Sequence, residues 1–486
     1  MPSLPDLTQL SAAQKDELIR MLWPLQQQVL DLTAQVLAMQ AQIAQLQGRL
    51  NLNSQNSSKP PSSDGLHKPK PKSQRKPGER TSGGQKGHPG RTLSQVAEPD
   101  WVLTHAPPEH CDACQRSLGA PEVFESRQVF DLPTLAFEVT EHRVLQAVCT
   151  CGKTHRGQFP ESVAAAVQYG PAAQAAMVHL NQHHMVPLQR TATLMGEFFG
   201  LSVSEATVLK ASLDAAQRLT PTVRAIAQAF LTQPTVHADE TGLRVGKALH
   251  WMHVLATEKL TWVACHFRRG GAAFDALGIL PKFKGTLIHD GWKPYRALAC
   301  SHGLCNVHHL RELTYVFEEM KQDWAGDMIE LLTHANHLDN ANCANGQIPA
   351  YAAPAYRQEM RNLRGLYEAI LDQGDTLNPR VQASGKRGAT KQSKPANLIN
   401  RLREYADDVW RFMAQPDVPF TNNIAEQAVR MPKVKQKVSG CFRTTQGADT
   451  FCVIRSYLAT MHKQGANLFE SLVQTFRSSP PQPSFG

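Results

Sequence analysis

The most constraining feature of the sequence is a series of short β-rich runs that begins at Pro234 and alternates with helical patterns. The predicted order is three strands, a helix, a strand, a helix, a strand and a helix, which indicates a mixed α/β sheet covered by helices. The strands are expected at residues 235–239, 250–256, 261–267, 284–290 and 303–307, and helices at 270–280 and 308–320. The first and fourth runs each end in an aspartate, Asp239 and Asp290.

This order of elements is similar to that of the ribonuclease H-like fold, in which the first and fourth strands are neighbours. Asp239 and Asp290 would then lie side by side despite their separation in the sequence. Two adjacent carboxylates repel and raise each other's pKa unless a cation lies between them. Oxygen ligands of this kind select Mg²⁺ or Mn²⁺. A third carboxylate would complete a site for two ions about 3.5–4 Å apart, which can assist displacement at a phosphate.

The third carboxylate is predicted to be Glu426. Thr421 and Asn422 can cap a helix that begins just after them, which places Glu426 in its first turns. A plain salt bridge to Arg430, one turn further on, is the alternative interpretation of this pair. The stretch that follows contains no acid, and its basic residues are predicted DNA contacts: Arg430, Lys433, Lys435, Lys437 and Arg443. Three competing acids have ordinary surface patterning and are not assigned to the site: Glu312, Asp407 and Asp408.

A heptad pattern over residues 15–50 predicts a coiled-coil helix. Its apolar residues recur in alternating steps of four and three and form one narrow stripe: Leu18, Leu22, Leu25, Val29, Leu32, Val36, Met39, Ile43, Leu46 and Leu50. Pro24 is expected either to kink the first turns or to mark the start of the helix. We expect self-association through this stripe, and the alternative is a helix that packs on its own domain.

The segment after this helix is predicted to be a mobile basic linker. Residues 59–91 carry nine Lys or Arg against Asp64 and Glu79, with almost no apolar residues, so the segment cannot bury a core. Together with a formal net charge of +9, this composition favours a polyanionic partner such as nucleic acid. Lys86 is predicted to contact DNA phosphates from this linker.

Four cysteines form two close pairs, Cys111 with Cys114 and Cys149 with Cys151. Two such pairs can supply four thiolates to one tetrahedral Zn²⁺. Strands predicted at residues 128–132 and 137–145 would complete a small zinc ribbon. The second pair is unusually tight, so His155 could replace one thiolate, and four unrelated free cysteines are the alternative.

Residues 170–230 are predicted to be helical, and residues 187–211 have the pattern of a helix-turn-helix. Gly200 lies at the break, and Ser202 or Ser204 can cap the second helix. An ordinary helical hairpin in a core is an equally open interpretation.

Several motifs extend over nearly the whole chain: residues 53–64, 84–90, the four cysteines, 237–241, 289–295, 305–311, 422–426 and the tail 439–472. With them the chain resembles the large transposase of the insertion-sequence-66 family of bacterial DDE transposases. The resemblance implies that Asp239, Asp290 and Glu426 are the catalytic triad and hold Mg²⁺ or Mn²⁺. It also implies a helical insertion between the second Asp and the Glu, and residues 312–415 have a helix-rich pattern. The family commonly has a basic residue directly after this Glu, where the chain has Gln427.

Cys305 and His308 match a C-x-x-H element of the same family. From the residues alone, Cys305 is expected on a buried strand, where packing is a more common role than ligand binding. His308 is expected near Asp290, where it could touch DNA or metal without being catalytic.

The predicted organisation therefore has a ribonuclease H-like core with a helical insertion, preceded by smaller modules. The segments are a coiled coil (1–50), a basic linker (51–100), a zinc module (101–160), a helix-turn-helix-like region (161–232), the catalytic domain (233–435, with the insertion at about 312–415) and a basic helical C-terminal segment (436–486).

The predicted function is that of a transposase that binds terminal inverted repeats in double-stranded DNA and catalyses metal-dependent cleavage and strand transfer. Expected partners are further copies of the chain, as a dimer or higher oligomer, and small co-encoded accessory proteins that the resemblance implies. The alternatives are a non-transposing nuclease of the same fold, a DNA-binding regulator from an inactive copy, and a zinc-module scaffold. Without a secretory signal or an apolar run of 18 residues, no membrane association is expected, and a cytoplasmic, nucleoid-associated location is predicted.

Overall fold

The structure is a computed structural model that describes residues 10–57, 94–132, 135–344, 353–381 and 390–485. Its strands are β1 Gln146–Val148, β2 Thr154–Arg156, β3 Thr235–Val245, β4 Ala248–Ala256, β5 Thr261–His266, β6 Thr286–His289 and β7 Ser301–Leu304. Its α-helices are α1 Ala12–Leu50, α2 Pro171–Val178, α3 Leu188–Phe199, α4 Glu205–Ala229, α5 Gly271–Leu277, α6 Asn306–Met320, α7 Asp323–Ala344, α8 Pro354–Leu377, α9 Lys394–Glu404, α10 Ala406–Val409, α11 Asn423–Ser439, α12 Thr445–Lys463 and α13 Leu468–Phe476. None of the helices described is both long enough and apolar enough to cross a lipid bilayer.

The central sheet has five strands in the order β5-β4-β3-β6-β7. β4 is antiparallel to both β3 and β5, whereas β6 is parallel to both β3 and β7. The mixed α/β sheet is as predicted, and the first and fourth strands of the series are neighbours. The helix predicted between the fourth and fifth strands is wrong, because that connection, which the structure describes throughout, contains only the 3-10 turn Tyr295–Ala297. β3 is longer than expected and continues to Val245, because Leu243 and Val245 remain buried beyond the predicted end.

The C-terminal helices belong to the same folded unit as the sheet. α12 packs against β5 and α4, and the hydroxyls of Ser456 and Thr460 accept hydrogen bonds from the backbone N–H groups of Val263 and Thr261 at 2.9 and 3.0 Å. These contacts occupy the open edge of the sheet, which would otherwise present unpaired backbone groups. α11 also runs across the expected boundary between residues 435 and 436, so the C-terminal segment is continuous with the core.

A second apolar core lies among α6, α7, α8 and α9, within the region expected to be an insertion. Trp324 and Tyr367 are fully buried there, and the Tyr367 hydroxyl donates to the carbonyl of Leu402 at 2.9 Å. This core is anchored to the sheet through Ile288 of β6 and Leu304 of β7. The helical region therefore lies against β6, which leads to Asp290, and against its neighbour β7.

α3 and α4 form the hairpin that was considered as a helix-turn-helix. Gly200 takes a left-handed conformation at the end of α3 (φ 67°), and the Ser204 side chain accepts from the Thr207 N–H at 3.1 Å at the start of α4. α4 then continues for 25 residues with a face buried in the main core. Much of the hairpin consequently has a structural role, and a role in DNA recognition stays a prediction.

The N-terminal helix α1 begins with a capping box in which Ser11 and Gln14 satisfy each other's backbone N–H groups. It passes through Pro24 without ending there. From Leu22 onward the side chains of its apolar stripe are exposed, with Leu32 58% and Val36 46% accessible, while Leu18 is half-buried.

Residues 51–57 follow α1 and fold onto α6, where the Asn51 side chain donates to Glu319 at 2.7 Å. Leu52 packs at the edge of the second core. The first residues of the predicted linker are therefore held against α6 and the second core.

The prediction of strands at residues 128–132 and 137–145 is wrong, because the structure has no regular strand in either range. Both ranges have the alternation of apolar and polar residues that is typical of a strand. However, Val129 and Val139 are 90% and 83% exposed, so no apolar face is buried there. The hairpin in this region is instead β1 with β2, and its turn carries Cys149 and Cys151.

Candidate active site

Asp239 and Asp290 are brought together by the parallel pairing of β3 and β6. The register places His237 opposite Ile288, and each aspartate lies two residues beyond its member of that pair. Asp239 is half-buried within β3, while Asp290 follows β6 directly and is exposed. The two carboxylates therefore lie at the same level on adjacent strands.

The turn after β6 fixes the second aspartate. Asp290 accepts a hydrogen bond from the Trp292 N–H at 2.8 Å. Gly291 has a φ of 88°, a conformation that side-chain-bearing residues rarely adopt, and its N–H donates to the ring of His289 at 3.0 Å. The motif His289-Asp290-Gly291-Trp292 is thus a compact turn that directs the carboxylate away from the core.

Asn422 links Glu426 to the sheet in a way that differs from the prediction. It occupies the N-cap position of α11, but its side chain makes no cap hydrogen bond. Instead it donates to the carbonyl of Ala238 at 2.9 Å and pairs with the His237 ring at 2.9 Å. Asn422 is buried, and the Glu426 N–H donates to its carbonyl at 3.1 Å in the first turn of α11. The start of α11 is thereby fastened beside Asp239.

Asp239 interacts electrostatically with the other two predicted carboxylates, although among the described residues the donor atoms of these three do not all lie within 4.8 Å of one another. Burial raises the pKa of Asp239 well above its ordinary value, and the charges of Glu240, Asp290 and Glu426 raise it further. A hydrogen bond from the Glu240 N–H at 2.8 Å opposes this rise. A cluster of like charges of this kind is unfavourable unless protons or cations neutralise it.

Glu240 is a fourth acid at this end of the sheet, and it was not predicted as a site residue. Its side chain pairs with Arg269 at 2.6 Å and accepts from the Tyr295 hydroxyl. The Arg269 guanidinium also lies over the rings of Trp251 and Trp292, at 4.5 and 3.9 Å from their centroids. Glu240 is therefore neutralised by protein groups, unlike Asp239. The Asp-Glu pair in the sequence was the available signal for it.

Cys305 and His308 lie beside Glu426. The Cys305 sulfur and the His308 Nδ1 are each 3.8 Å from the same carboxylate oxygen of Glu426. Cys305 is buried as expected. It occupies the N-cap position of α6, without a side-chain cap hydrogen bond, instead of lying on a strand, because β7 ends at Leu304. The contacts of Glu426 are with this pair, and the alternative ion pair to Arg430 is absent although the structure describes both residues.

The predicted DNA contacts that the structure describes lie along α11 and just after it. Arg430, Lys437 and Arg443 are exposed. Lys433 is also exposed, and its ammonium donates to the Gly242 carbonyl at 2.6 Å. Lys435 is half-buried, with its ammonium 4.8 Å from the centre of the Phe442 ring. Lys86, the sixth, lies outside the described residues.

The four cysteines of the predicted zinc module remain as two separate pairs. Hydrogen bonds from Cys114 and Ala113 lower the pKa of Cys111, and hydrogen bonds from Cys151 and Thr150 lower that of Cys149. Among the described residues, no three of these thiols lie within 4.8 Å of one another. The members of each pair are close, so a four-thiolate site stays a prediction.

Comparison with protein families matches residues 166–450 to the Transposase IS66 family, and residues 2–94 to a family of unknown function (DUF6444). No curated protein matches the chain. The first match spans more than half of the chain and contains Asp239, Asp290 and Glu426. It agrees with the resemblance noted in the sequence motifs, and the chain therefore belongs to the IS66 family of transposases.

Proposed function

We propose that the chain is a DDE transposase that cuts the ends of a mobile DNA element and joins them to target DNA. The observation that carries this proposal is the β3–β6 register, which puts Asp239 and Asp290 on adjacent strands, while Asn422 fastens the start of α11 and hence Glu426 to β3. Membership of a transposase family makes DNA the expected partner and a nuclease or transferase reaction the expected chemistry. The strand order β5-β4-β3-β6-β7, with the two aspartates on its central neighbours, supports a ribonuclease H-like core.

The donor set fits divalent cations with hard oxygen ligands. Asp239, Asp290 and Glu426 would hold Mg²⁺ or Mn²⁺, because a cation would relieve the carboxylate repulsion that helps to raise the pKa of Asp239. When bound, such ions would supply Lewis-acid activation of the attacking and leaving oxygens. Glu240 is excluded from this set because Arg269 and Tyr295 already satisfy its two oxygens.

The reaction has two displacements at phosphorus. In the first, water attacks the phosphate at the element end, the bond from phosphorus to the 3′-oxygen breaks, and that oxygen leaves with a proton as a 3′-hydroxyl. In the second, this hydroxyl loses its proton and attacks a phosphate of the target, whose own 3′-oxygen is released. The protein groups position the DNA and form no covalent bond with it. The exposed basic side chains of Arg430, Lys437 and Arg443 would bind phosphates of the DNA backbone.

The N-terminal modules are proposed to recognise and pair the element ends. The stripe of α1 would join two or more copies of the chain, because its apolar side chains are exposed in the single chain. The basic linker that contains Lys86, the zinc module of Cys111, Cys114, Cys149 and Cys151, and the α3–α4 hairpin would bind the terminal repeats. Small accessory proteins and a location at the nucleoid remain part of this proposal.

Strand transfer in vitro tests the proposal. Labelled element-end DNA and a plasmid target would be incubated with Mg²⁺ or Mn²⁺, or with chelator, and wild type would be compared with Asp290→Asn. We expect metal-dependent joining by wild type and a loss of at least about a hundredfold in the variant, because changing even the partners of metal ligands costs about 10–100-fold.

Asp327→Asn is the matched control, because Asp327 is exposed on α7 in the helical insertion. Equal activity of wild type and Asp290→Asn would contradict the triad assignment. Cleavage without joining would favour the nuclease alternative. Binding of the ends without any chemistry would favour the regulator.

A further inference from the structure

Three side chains of different chemistry converge where α6 and α11 begin. Cys305 precedes α6, His308 lies in its first turn, and Glu426 lies in the first turn of α11. Within the described part of the chain, this is the group of three ligating side chains whose donor atoms all lie within 4.8 Å of one another. The group combines a sulfur, a nitrogen and an oxygen, whereas the carboxylate trio offers oxygen alone.

The spacing of these donors is close to that of a tetrahedral metal site. The distances from the Glu426 oxygen to the Cys305 sulfur and to the His308 Nδ1 are both 3.8 Å. With bonds to zinc of about 2.3 Å for sulfur and about 2.0–2.2 Å for nitrogen and oxygen, adjacent donors in a tetrahedron lie about 3.4–3.6 Å apart. The Cys305 sulfur and a His308 ring nitrogen lie within 4.8 Å of each other, so shifts of up to about an ångström would bring all three donors into coordination.

The backbone holds the two residues of α6 in place. The Cys305 N–H donates to the His289 carbonyl at 3.0 Å, and the His308 N–H donates to the Cys305 carbonyl at 3.2 Å. The sulfur also accepts from the Asn422 N–H at 3.2 Å, whereas burial and the neighbouring Glu426 carboxylate raise the pKa of the Cys305 thiol. The donors are thus arranged before any ligand arrives.

The His308 ring supplies a second, independent observation. Its Nδ1 is buried and has no hydrogen-bond partner among the described residues, although it faces the Glu426 carboxylate at 3.8 Å. A buried polar atom without a partner costs free energy that a bound ion would recover. Neutral imidazole is a common zinc ligand through either ring nitrogen.

We propose that Cys305, His308 and Glu426 form a binding site for a zinc-class cation. This site lies next to the proposed Mg²⁺ or Mn²⁺ site, and Glu426 belongs to both. On binding, the Cys305 thiol releases its proton to solvent and the sulfur binds the ion as a thiolate. Sulfur and imidazole donors select Zn²⁺ over Mg²⁺. Occupancy would engage Glu426 and withdraw it from Asp239 and Asp290. Zinc binding itself does not depend on the proposed function, but inhibition of strand transfer by zinc rests on it.

The test uses the full chain with Cys111, Cys114, Cys149 and Cys151 all changed to Ser, so that the predicted zinc module does not contribute. Zn²⁺ would be titrated in competition with a chromophoric chelator, and Co²⁺ would be added separately to detect the thiolate-to-cobalt absorption band. We expect one equivalent of Zn²⁺ and a cobalt band in this background. A further Cys305→Ser change should remove the band and weaken Zn²⁺ binding at least about tenfold.

Cys441→Ser in the same background is the matched control, because Cys441 is an exposed free thiol away from the cluster. It should leave both signals unchanged. The site is overturned if the background binds no Zn²⁺, or if Cys305→Ser binds Zn²⁺ as tightly as the background does.

Cys305 is buried, so its substitution could disturb folding, and His308→Gln is the second variant. It should keep the cobalt band but weaken Zn²⁺ binding at least about tenfold, because one of three protein ligands is lost. Unchanged affinity would overturn the site. Failure of wild type to join DNA in Mg²⁺, with the cobalt band intact, would instead count against the proposed function alone.

Discussion

The sheet with its covering helices (residues 171–476, here the catalytic half) and the helix α1 (here the N-terminal arm) differ in whether their apolar side chains are buried. In the catalytic half, Leu287 and Ile288 of β6 are fully buried in cores that the same chain completes. In α1, Leu25 and Val29 are 55% and 61% exposed although they recur as regularly as those of any buried helix. A periodic apolar pattern thus predicts burial in both regions, but only in the first does the chain itself supply the covering surface. This difference supports the proposal that a partner helix covers the apolar stripe of α1.

The strongest test of this comparison is to charge the stripe of α1. Leu32→Asp with Val36→Asp should convert the oligomer to a monomer, because burying unpaired carboxylates costs several kcal/mol per ion. Mass would be measured by light scattering during gel filtration. Ala34→Asp, on the opposite side of the heptad, is the control and should remain oligomeric. A double variant with the mass of wild type would mean that the arm needs no partner through this stripe.

The next test concerns the self-sufficient half. Asp408 binds Arg296 at 2.6 Å and Arg411 at 3.0 Å, and its side chain is only 15% exposed. Asp408→Asn should lower the free energy of unfolding by about 3–5 kcal/mol, because two largely buried guanidinium groups lose their counter-charge. Chemical denaturation would measure this.

The neighbouring residue is the control for that experiment. Asp407 also pairs with an arginine, Arg364, but its side chain is 90% exposed. Asp407→Asn should therefore cost no more than about 1 kcal/mol. Equal losses for both variants would show that burial does not distinguish these two ion pairs.

A smaller effect is expected where α11 joins the sheet. Asn422→Ala would leave the His237 ring and the Ala238 carbonyl without their buried partner, at a cost of about 1–3 kcal/mol. Because Glu426 would lose its anchor, strand transfer should fall more than stability alone explains. Asn423→Ala, at the exposed next position, should change neither quantity. A stable but fully active Asn422→Ala protein would contradict the positioning role.

The smallest expected effect is at the start of the arm. Ser11→Ala removes the side chain that accepts from the Gln14 N–H at 3.3 Å, which costs about 1 kcal/mol of helix stability. Hydrogen exchange should then accelerate in the first turn of α1. Thr33→Ala removes a hydroxyl from the middle of the same helix and should leave that turn unaffected. Unaltered exchange in Ser11→Ala would mean that other contacts hold the helix end.

The sheet could be predicted from the sequence because each strand carries its own apolar pattern and ends in a recognisable turn. The adjacency of the strands that carry Asp239 and Asp290 was expected from the similarity of the strand order to the ribonuclease H-like fold, and the register agrees. The role of Asn422 could not be predicted, because its partners lie on β3, far away in the sequence. The local sequence predicts that the Asn422 side chain caps α11. In the structure this side chain instead forms hydrogen bonds with β3.

The errors between residues 94 and 160 have the same origin. Alternation at residues 128–132 predicts a strand only if a surface exists to bury one face, and none covers Val129 in the single chain. Likewise, the contact of Cys305 with Glu426 joins two helix starts whose distance apart no sequence spacing reveals. What the sequence lacks in each case is the position of the second element.

The hydroxyls of Ser456 and Thr460, which occupy the edge of β5, have a consequence for biosynthesis. The ribosome makes the five strands of the sheet long before it makes α12, so the β5 edge stays open until the last part of the chain emerges. A product that ended before residue 445 would keep that edge, with its unpaired amides, available to other strands. Copies truncated before residue 445 should therefore aggregate through the β5 edge, and in the full chain α12 protects that edge.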